Sequence, residues 1–459
     1  MISRSFAAVT VFSLMAAAGC ATLPDTDALI ERHTGQAARF EDARGSLSAE
    51  KSAAILAELK RKSGDIDILE KQIVLEQAIA GSPLVVGNKV SLLQDGPDTY
   101  AAMFAAIRKA QDHINLESYI IEDDEIGRQF ADVLLEKQRQ GIQVNLIYDS
   151  VGGINTPKAY FERLAEGGIA VLEFNPVNPL KVKKQWLVNN RDHRKLLVVD
   201  GRTAFLGGIN ISSVYSSGSV VRATAKRASS VGWRDTQIQI DGPVVGELQK
   251  LFIDTWGKQR GKPLAQKKYF PALKVQGKDI VRAIGSTPDD AYSQIYLTLI
   301  SAIGNAEKQV HLTNAYFVPD PQLVDSLIDA AGRGVDVRLI LPSHSDSATV
   351  FHAGRSHYLS LLEGGVKLYE RQGSLLHSKT AVVDGVWSTV GSTNLDWRSF
   401  LDNDEINAVI IGREFGEKME AMFAKDLDAS KAIDLERWKR RPLSFRFKEW
   451  MARRGARLL

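Results

Sequence analysis

A pattern of basic and amide residues occurs twice in the chain, and this duplication constrains the fold more than any other feature. The first copy, "DHRKLLVVDGRTAFLGGIN", runs from Asp192 to Asn210, and the second, "LHSKTAVVDGVWSTVGSTN", runs from Leu376 to Asn394. Both match H-x-K-x4-D-x6-G-[GS]-x-N, and the histidine, lysine and aspartate are each displaced by 184 residues. A constant offset predicts two halves that repeat one structural unit.

The segments that precede each motif repeat as well. Each half has a helix-like and then a strand-like segment, followed by a second such pair, at 101–120 and 130–149 and again at 297–317 and 323–342. Alternating helices and strands predict an α/β fold, with two duplicated domains of mostly parallel strands related by a pseudo-twofold axis. The matching strands also carry Tyr119 and Tyr316, for which we expect core packing rather than lining of a cleft.

The remaining sequence divides the chain further. We expect an export signal at 1–19, a helical lead-in at 20–85, domains at 86–265 and 266–430, and a basic amphipathic tail at 431–459. In the lead-in, Ser48 is the predicted N-cap of a helix that stops at Gly64. The segment Ser212–Trp233 is rich in Ser, Gly and Ala and has no counterpart in the second half. It predicts a mobile loop, either a lip of the site or a plain surface loop, with basic residues Arg222, Lys226 and Arg227.

The N-terminus, "MISRSFAAVTVFSLMAAAGC", has the layout of an export signal. It also resembles a bacterial lipoprotein signal, in which the cysteine is lipidated, although Ala17 stands where leucine is usual. Cys20 is the only cysteine, so no intrachain disulfide can form. We expect an exported, membrane-associated protein on the periplasmic side, anchored through Cys20. An ordinary signal peptide cleaved near Ala18 is the alternative.

The residue types in the two motifs suit attack on a phosphodiester. Residues two apart on a strand share a face, so His193 lies beside Lys195 and His377 beside Lys379. One imidazole can act as a nucleophile, and a second can move the proton of the leaving or entering hydroxyl. Lysines and asparagine amides can hold the phosphoryl oxygens. We therefore expect no metal and no cofactor, and no cluster of Cys and His has the spacing of metal ligands.

The twin motif resembles that of the phospholipase D superfamily. The segments "LESYI", "FNPVNPL", "NAYFVPDPQ" and "GSTNLDWRSFLDNDEINAVI" are similar to its bacterial cardiolipin synthase branch, and the resemblance extends from about Gly87 to Asp428. It implies two phospholipase D-like domains with one active site at their interface.

The resemblance also implies a role for each motif residue. His193 would be the nucleophile and His377 the general acid and base, although the pseudo-symmetry leaves open which histidine attacks first. The catalytic set would include Lys195, Lys379, Asp200 and Asp384, of which we expect the two aspartates to hold the strand ends. Substrate binding would fall to Asn210, Asn394 and Ser392, and orientation of the histidines to Asp235 and Glu405.

The expected function is phosphatidyl transfer from one phospholipid to phosphatidylglycerol, which makes cardiolipin. The same site with water as acceptor would hydrolyse phospholipids to phosphatidic acid. A nuclease is less favoured, because the chain before residue 431 carries a net charge of −4. A non-catalytic lipid-binding lipoprotein would tend to have lost a motif residue, and none is missing.

The tail contains ten Lys/Arg and three Asp/Glu from residue 431 onward, a net charge of +7. In "WKRRPLSFRFKEWMARRGARLL", helical spacing places Leu443, Phe447 and Trp450 on one face. A basic amphipathic helix with Trp and Phe favours an anionic membrane surface, and a terminal helix packed on the body is the alternative. The expected partners are phospholipids and this surface, without nucleic acid, and the oligomeric state stays open.

Overall fold

The computed structural model describes residues 37–63, 68–178, 189–218 and 232–458. The predicted signal with Cys20, and the loop residues Arg222, Lys226 and Arg227, lie outside these ranges.

The described chain alternates helices and strands, as the sequence predicts. The strands are β1 (Phe40–Asp42), β2 (Gly45–Ser46), β3 (Leu84–Gln94), β4 (His113–Ser118), β5 (Gln143–Asp149), β6 (Ala170–Phe174), β7 (Arg191–Asp192), β8 (Lys195–Val199), β9 (Thr203–Gly207), β10 (Thr236–Asp241), β11 (Asp279–Ser286), β12 (Gln309–Asn314), β13 (Phe317–Val318), β14 (Asp336–Pro342), β15 (Lys367–Arg371), β16 (Lys379–Val383), β17 (Trp387–Gly391), β18 (Leu395–Asp396), β19 (Asn403–Ile411) and β20 (Ser430–Ala432). The helices are α1 (Ala49–Ser63), α2 (Ile68–Ala80), α3 (Asp95–Lys109), α4 (Glu125–Arg139), α5 (Lys158–Glu166), α6 (Val245–Lys258), α7 (Gln294–Gly304), α8 (Pro321–Gly332), α9 (Ala348–Arg355), α10 (Tyr358–Glu363), α11 (Trp397–Leu401), α12 (Arg413–Asp428), α13 (Leu435–Lys439) and α14 (Leu443–Arg454).

The two halves have the same strand order, which confirms the duplication. The first half runs β3–β10–β9–β8–β4–β5–β6, and the second runs β11–β19–β17–β16–β12–β14–β15. Strands β3 and β11 pair antiparallel, so the two sheets join into one. The join places equivalent strands of the halves around a shared centre.

The prediction of mostly parallel strands is wrong. Only β4–β5–β6 and β12–β14–β15 are parallel, and the other pairings within this common strand order are antiparallel. For β8–β9 and β16–β17 the reason lies in the turn after each motif aspartate. Asp200 and Gly201 both take positive φ values, +53° and +61°, as do Asp384 and Gly385, +53° and +65°. Two such residues make a tight hairpin turn, which returns the chain antiparallel without a crossover helix.

Buried strands and flanking helices form the core of each half. Helices α3, α4 and α5 pack over the apolar cluster of the first half, and α7, α8 and α10 over that of the second. Helices α6 and α12 contribute to a third cluster that contains strands of both halves. Strands β8 and β16 are buried along their whole length, so the residues at their ends have fixed positions.

The lead-in is helical, and α1 begins directly after Ser48, whose Oγ accepts a hydrogen bond of 3.3 Å from Lys51 N. Helix α2 packs on α7 of the second half. There the buried carboxylate of Glu76 accepts a hydrogen bond of 2.6 Å from Trp387 Nε1 and lies 3.4 Å from Arg282 Nε. Strand β3 runs through the boundary predicted between the lead-in and the first domain, at residue 85. The domain bounds therefore remain predictions from the sequence.

The predicted tail has two parts. Strand β20 pairs with β15, and Trp438 of α13 is buried against Tyr358 with a ring distance of 5.0 Å. Helix α14 lies on α9 at the surface. Among the described residues, no helix has the length and apolarity needed to cross a membrane.

Candidate active site

Each motif histidine stands at the beginning of a buried strand. Lys195 is the first residue of β8 and Lys379 the first of β16, with His193 and His377 two positions earlier. All four side chains are buried. The two strands occupy equivalent places in the two halves, so the structure brings both pairs to the interface, as the resemblance implies.

Backbone hydrogen bonds connect each histidine to the opposite half. His193 N donates to the carbonyl of Asp404 (2.9 Å), and His377 N donates to the carbonyl of Arg234 (2.7 Å). Strand β7 also pairs with the start of β19. Because Asp404 and Arg234 directly precede Glu405 and Asp235, each histidine lies beside the acidic residue of the other half.

The orienting carboxylates are therefore exchanged between the halves. His193 Nδ1 lies 3.0 and 3.1 Å from the carboxylate oxygens of Glu405, and His377 Nδ1 lies 2.7 Å from Asp235 Oδ2. An ionised carboxylate only accepts hydrogen bonds, so Nδ1 carries the proton in each ring. Nε2 is then left with a free lone pair, the form that a nucleophile or base requires.

The Ser392 hydroxyl, expected to bind substrate, lies against the orienting carboxylate of Glu405. This fully buried hydroxyl donates a short hydrogen bond to Glu405 Oε2 and accepts one of 3.0 Å from Ile406 N. In the first half the same position is Gly208, where an added Cβ would lie 2.2 Å from Asp235 Oδ1. The second position of G-[GS] therefore takes only a small residue, because the orienting carboxylate lies directly against it.

The two motif asparagines differ in their contacts. Asn210 Oδ1 accepts a hydrogen bond of 3.1 Å from Ile120 N, and its Nδ2 donates to the Tyr215 hydroxyl (3.3 Å). For Asn394, the backbone N donates to Ser399 Oγ (3.3 Å), while Oδ1 has no partner among the described residues. The amide of Asn210 is therefore occupied by the protein itself.

The two lysines supply the positive charge of the site. Lys195 Nζ donates a hydrogen bond of 2.5 Å to the carbonyl of His193, and Lys379 Nζ makes the same contact to His377. Burial is the main cause that lowers the pKa of Lys195 to about 7 and that of Lys379 to about 8. Among the described residues, no group of three or more His, Cys, Asp or Glu is placed to hold a metal ion.

Both imidazoles are held in the neutral form. Burial, with further repulsion from Lys195, lowers the pKa of His193 to about 4. Burial, and next to it repulsion from the charge of Lys379, lower the pKa of His377 as well. Burial alone would raise the pKa of Glu405, but its contact with His193, including their hydrogen bond, and the charge of Lys195 bring it down to about 2. The carboxylate is thus ionised beside a neutral imidazole.

Aromatic rings border the two histidines unequally. Tyr119 lies 5.1 Å from His193 between ring centroids, whereas His377 is bordered by Trp233 (5.4 Å), Tyr215 (5.9 Å) and Tyr316 (6.0 Å). Tyr119 and Tyr316 are only half-buried, so core packing does not describe them. Our sequence reasoning missed Tyr215 and Trp233, and only their places at the two ends of the unmatched loop could have pointed to them.

The motif aspartates lie away from the histidines. Asp200 follows β8 and accepts hydrogen bonds from the backbone N–H groups of residues 111–113. Asp384 follows β16 and accepts from those of residues 307–309. A five-residue strand spans roughly 16 Å, so neither carboxylate can join the reacting groups. Each aspartate fixes the chain before β4 or β12.

Two buried arginines, also missed from the sequence, hold the strands that carry the acidic residues. Arg194 Nε donates to the carbonyl of Glu405 (3.1 Å), and its Nη1 to Thr255 Oγ1 (2.5 Å). Arg234 Nη1 donates to the carbonyl of Asp235, and its Nη2 to Asp426 Oδ2 (2.7 Å). Their side-chain partners, Thr255 and Asp426, come from distant parts of the chain, so no local pattern could have identified them.

Known proteins match both the chain and its fold. The family model for the cardiolipin synthase phospholipase D-like domain matches residues 103–217 and 299–427. The cardiolipin synthase of Geobacillus kaustophilus is 36% identical over 381 residues, which are 83% of this chain and 74% of that protein. The chain belongs to the cardiolipin synthase family. It is therefore an enzyme of the phospholipase D superfamily, and its class of reaction is phosphatidyl transfer.

A second relative and a solved structure agree with this family and fold. The cardiolipin synthase of Alkalihalophilus pseudofirmus is 34% identical over 399 residues, which are 86% of this chain and 76% of that protein. The crystal structure of phosphatidylserine synthase from Haemophilus influenzae superposes with a TM-score of 0.59 at 13% identity, covering 83% of this chain and 96% of that one. At this identity the similarity shows the fold alone, and it confirms the expected fold class.

Proposed function

We propose that the enzyme makes cardiolipin by moving a phosphatidyl group from one phospholipid, through a phosphatidyl-histidine intermediate, to a hydroxyl of phosphatidylglycerol. The observation that carries the proposal is the pair of neutral histidines, each oriented by a carboxylate from the opposite half. The two bacterial relatives, both cardiolipin synthases, support the choice of product.

In the first step His193 Nε2 attacks the phosphorus atom of the donor lipid. A P–N bond forms, the bond from phosphorus to the head-group oxygen breaks, and that oxygen takes a proton from His377. The free enzyme holds His377 neutral, but the negative phosphate of a bound lipid raises its pKa and favours the protonated form. Glu405 then stabilises the positive charge that develops on His193.

In the second step the proton moves in the opposite direction, from the acceptor hydroxyl to His377. A hydroxyl of phosphatidylglycerol gives its proton to His377, its oxygen attacks the phosphorus atom, and the P–N bond breaks to restore His193. One phosphodiester replaces another, so the transfer requires no nucleotide. A water molecule in the acceptor position would give phosphatidic acid through the same steps.

The remaining motif residues hold the phosphate and the site. Lys195 and Lys379 are the buried cations beside the histidines. Asn394 has a side-chain amide oxygen without a hydrogen-bond partner among the described residues, unlike Asn210. These three groups bind the phosphoryl oxygens. Asn210, by contrast, acts through Tyr215, and Asp200 and Asp384 keep the two strands in place.

We further propose that α14 binds an anionic membrane surface. The helix exposes large apolar side chains, 75% of Leu443, 62% of Phe447, 48% of Trp450 and 52% of Met451, while its only fully buried residue is Glu449. A helix that packed its apolar face on the body would show the opposite pattern. The surrounding basic side chains favour anionic lipids. Export and lipidation of Cys20 would add a second attachment.

The test of the proposed reaction is lipid analysis by mass spectrometry. Purified enzyme is incubated with phosphatidylglycerol vesicles in chelator, with and without phosphatidylethanolamine. We expect cardiolipin from the wild type and none from His193→Ala or His377→Ala. His311→Ala is the matched control, because His311 is also a buried histidine paired with a carboxylate, at 2.7 Å from Glu420. If phosphatidic acid forms without cardiolipin, the enzyme hydrolyses phospholipids and does not transfer the phosphatidyl group to a lipid.

A further inference from the structure

Tyr215 contacts the nitrogen by which Asp235 orients His377. The Tyr215 hydroxyl lies 3.2 Å from His377 Nδ1, which is also 2.7 Å from Asp235 Oδ2. The tyrosine is 1% exposed, and its ring packs edge-on against Trp233 at 5.5 Å. One imidazole N–H therefore faces two oxygen atoms.

The first motif holds this tyrosine in place. Asn210 Nδ2 donates to the Tyr215 hydroxyl (3.3 Å), and Asn210 Oδ1 is itself fixed by Ile120 N (3.1 Å). The Tyr100 hydroxyl lies 2.7 Å from the carbonyl of Asn210 and 2.9 Å from that of Ser212. A connected chain of hydrogen bonds thus leads from the motif of the first half to the histidine of the second.

The first histidine has no equivalent contact among the described residues. The Nδ1 atom of His193 faces the two oxygens of Glu405, and Ser392 supports that carboxylate from behind. The residue 184 positions after Tyr215 is Ser399, which accepts a hydrogen bond from Asn394 N instead. The tyrosine therefore distinguishes two histidines that the motifs make alike.

We propose that Tyr215 is a positioning residue that makes His377 the proton-transferring histidine, by offering its Nδ1–H a second acceptor. An imidazolium donates more strongly than a neutral imidazole, so an added acceptor favours the protonated ring. His193 lacks this support and stays neutral, which a nucleophile requires. The assignment of the two roles rests on the proposed phosphatidyl transfer.

The other charged and titratable groups around His377 do not make this distinction. They are Asp235 from the first half, Lys379 on its own strand, Lys195 across the interface and Tyr316 at its edge. The carboxylate and the lysines have counterparts near His193. Burial raises the pKa of Tyr215 well above its ordinary value, so its hydroxyl stays protonated at every pH at which the enzyme works.

The experiment is Tyr215→Phe in the full chain, with Tyr160→Phe as the matched control. Tyr160 is also buried, and its hydroxyl donates to the backbone carbonyl of Gly127 (2.7 Å), outside the hydrogen bonds that lead to His377. NMR of histidine-labelled protein, with His377 assigned from the His377→Ala spectrum, follows the ring pKa in the absence of lipid. The pH dependence of kcat on phosphatidylglycerol vesicles gives the second readout.

We expect Tyr215→Phe to lower the pKa of His377 by about half a unit to one unit, the loss of one shared acceptor. The alkaline limb of kcat should move to lower pH by a similar amount, and kcat should fall about three- to tenfold at pH 8 with KM nearly unchanged. Tyr160→Phe should leave the His377 pKa unchanged.

Two results would overturn the inference: an unchanged His377 pKa in Tyr215→Phe, or an equal shift in Tyr160→Phe. The NMR titration requires no turnover, so it separates this inference from the proposed function. An active wild type with an unmoved pKa refutes the role of Tyr215 alone. A wild type that makes no cardiolipin refutes the transfer reaction, whatever the titration shows.

Discussion

Replacement of Glu405 by glutamine tests the exchange of carboxylates between the halves. The side chain is fully buried. Burial raises its pKa, but the contact with His193, the charge of Lys195 and the hydrogen bond from Ser392 together bring it from 4.5 down to about 2. At about 1.4 kcal/mol per pKa unit, this shift corresponds to roughly 3 kcal/mol of interaction between the carboxylate and its surroundings. Glutamine removes the charge, and its amide can donate to Nδ1, which moves the imidazole proton to Nε2 and blocks attack.

The expected loss follows from these numbers. Loss of roughly 3 kcal/mol of stabilisation in the transition state slows the reaction about a hundredfold. The wrong tautomer of His193 extends the loss toward about ten-thousandfold. The assay is the initial rate of cardiolipin formation by Glu405→Gln, measured by mass spectrometry over a range of phosphatidylglycerol concentrations. Because Glu405 contacts His193 and not the lipid, kcat should carry the loss and KM should change little.

The control is the same Glu→Gln substitution at a second pair of a glutamate and a histidine. Glu420 lies 2.7 Å from His311 Nδ1 in the second half, outside the histidine cluster. Glu420→Gln should keep activity within about twofold, since it changes no group of the site. The reasoning would be refuted if Glu405→Gln kept more than a third of the wild-type kcat, or if both variants lost activity equally.

Three further predictions concern packing, pH and the membrane. Gly208→Ala should lower activity at least about tenfold, because its Cβ would lie 2.2 Å from the carboxylate that orients His377, whereas Gly246→Ala, with only an ordinary contact at 3.6 Å, should be neutral in the same assay. A lysine is charged below its pKa, and the two site lysines have pKa values of about 7 and 8, so kcat/KM should fall as pH rises above this range, and a profile flat to pH 9.5 would contradict their role. Phe447→Glu with Trp450→Glu should weaken co-sedimentation with anionic vesicles about tenfold or more, while Phe270→Glu, at another exposed aromatic, should not, and equal binding by all variants would exclude α14 as the contact.

Much of the fold follows from local patterns. The helices and strands around each motif could be predicted, because their apolar spacing and caps lie within short windows, as Ser48 shows for α1. The antiparallel direction of β8 and β9 was missed, although Asp200 and Gly201 carry the signal of a hairpin turn. Local pattern gives the elements, whereas the order of strands in the sheet depends on contacts between distant segments.

The sequence by itself determined the duplicated α/β fold, the family, and the identity of the two histidines and two lysines, because a strand of period two fixes which of its residues share a face. Only the tertiary structure decided that Glu405 serves His193 and Asp235 serves His377. It also placed the Ser392 hydroxyl against Glu405 and brought Tyr215 to the second histidine. These contacts join residues of opposite halves or opposite ends of a loop, and burial at the interface, not neighbouring sequence, sets their distances.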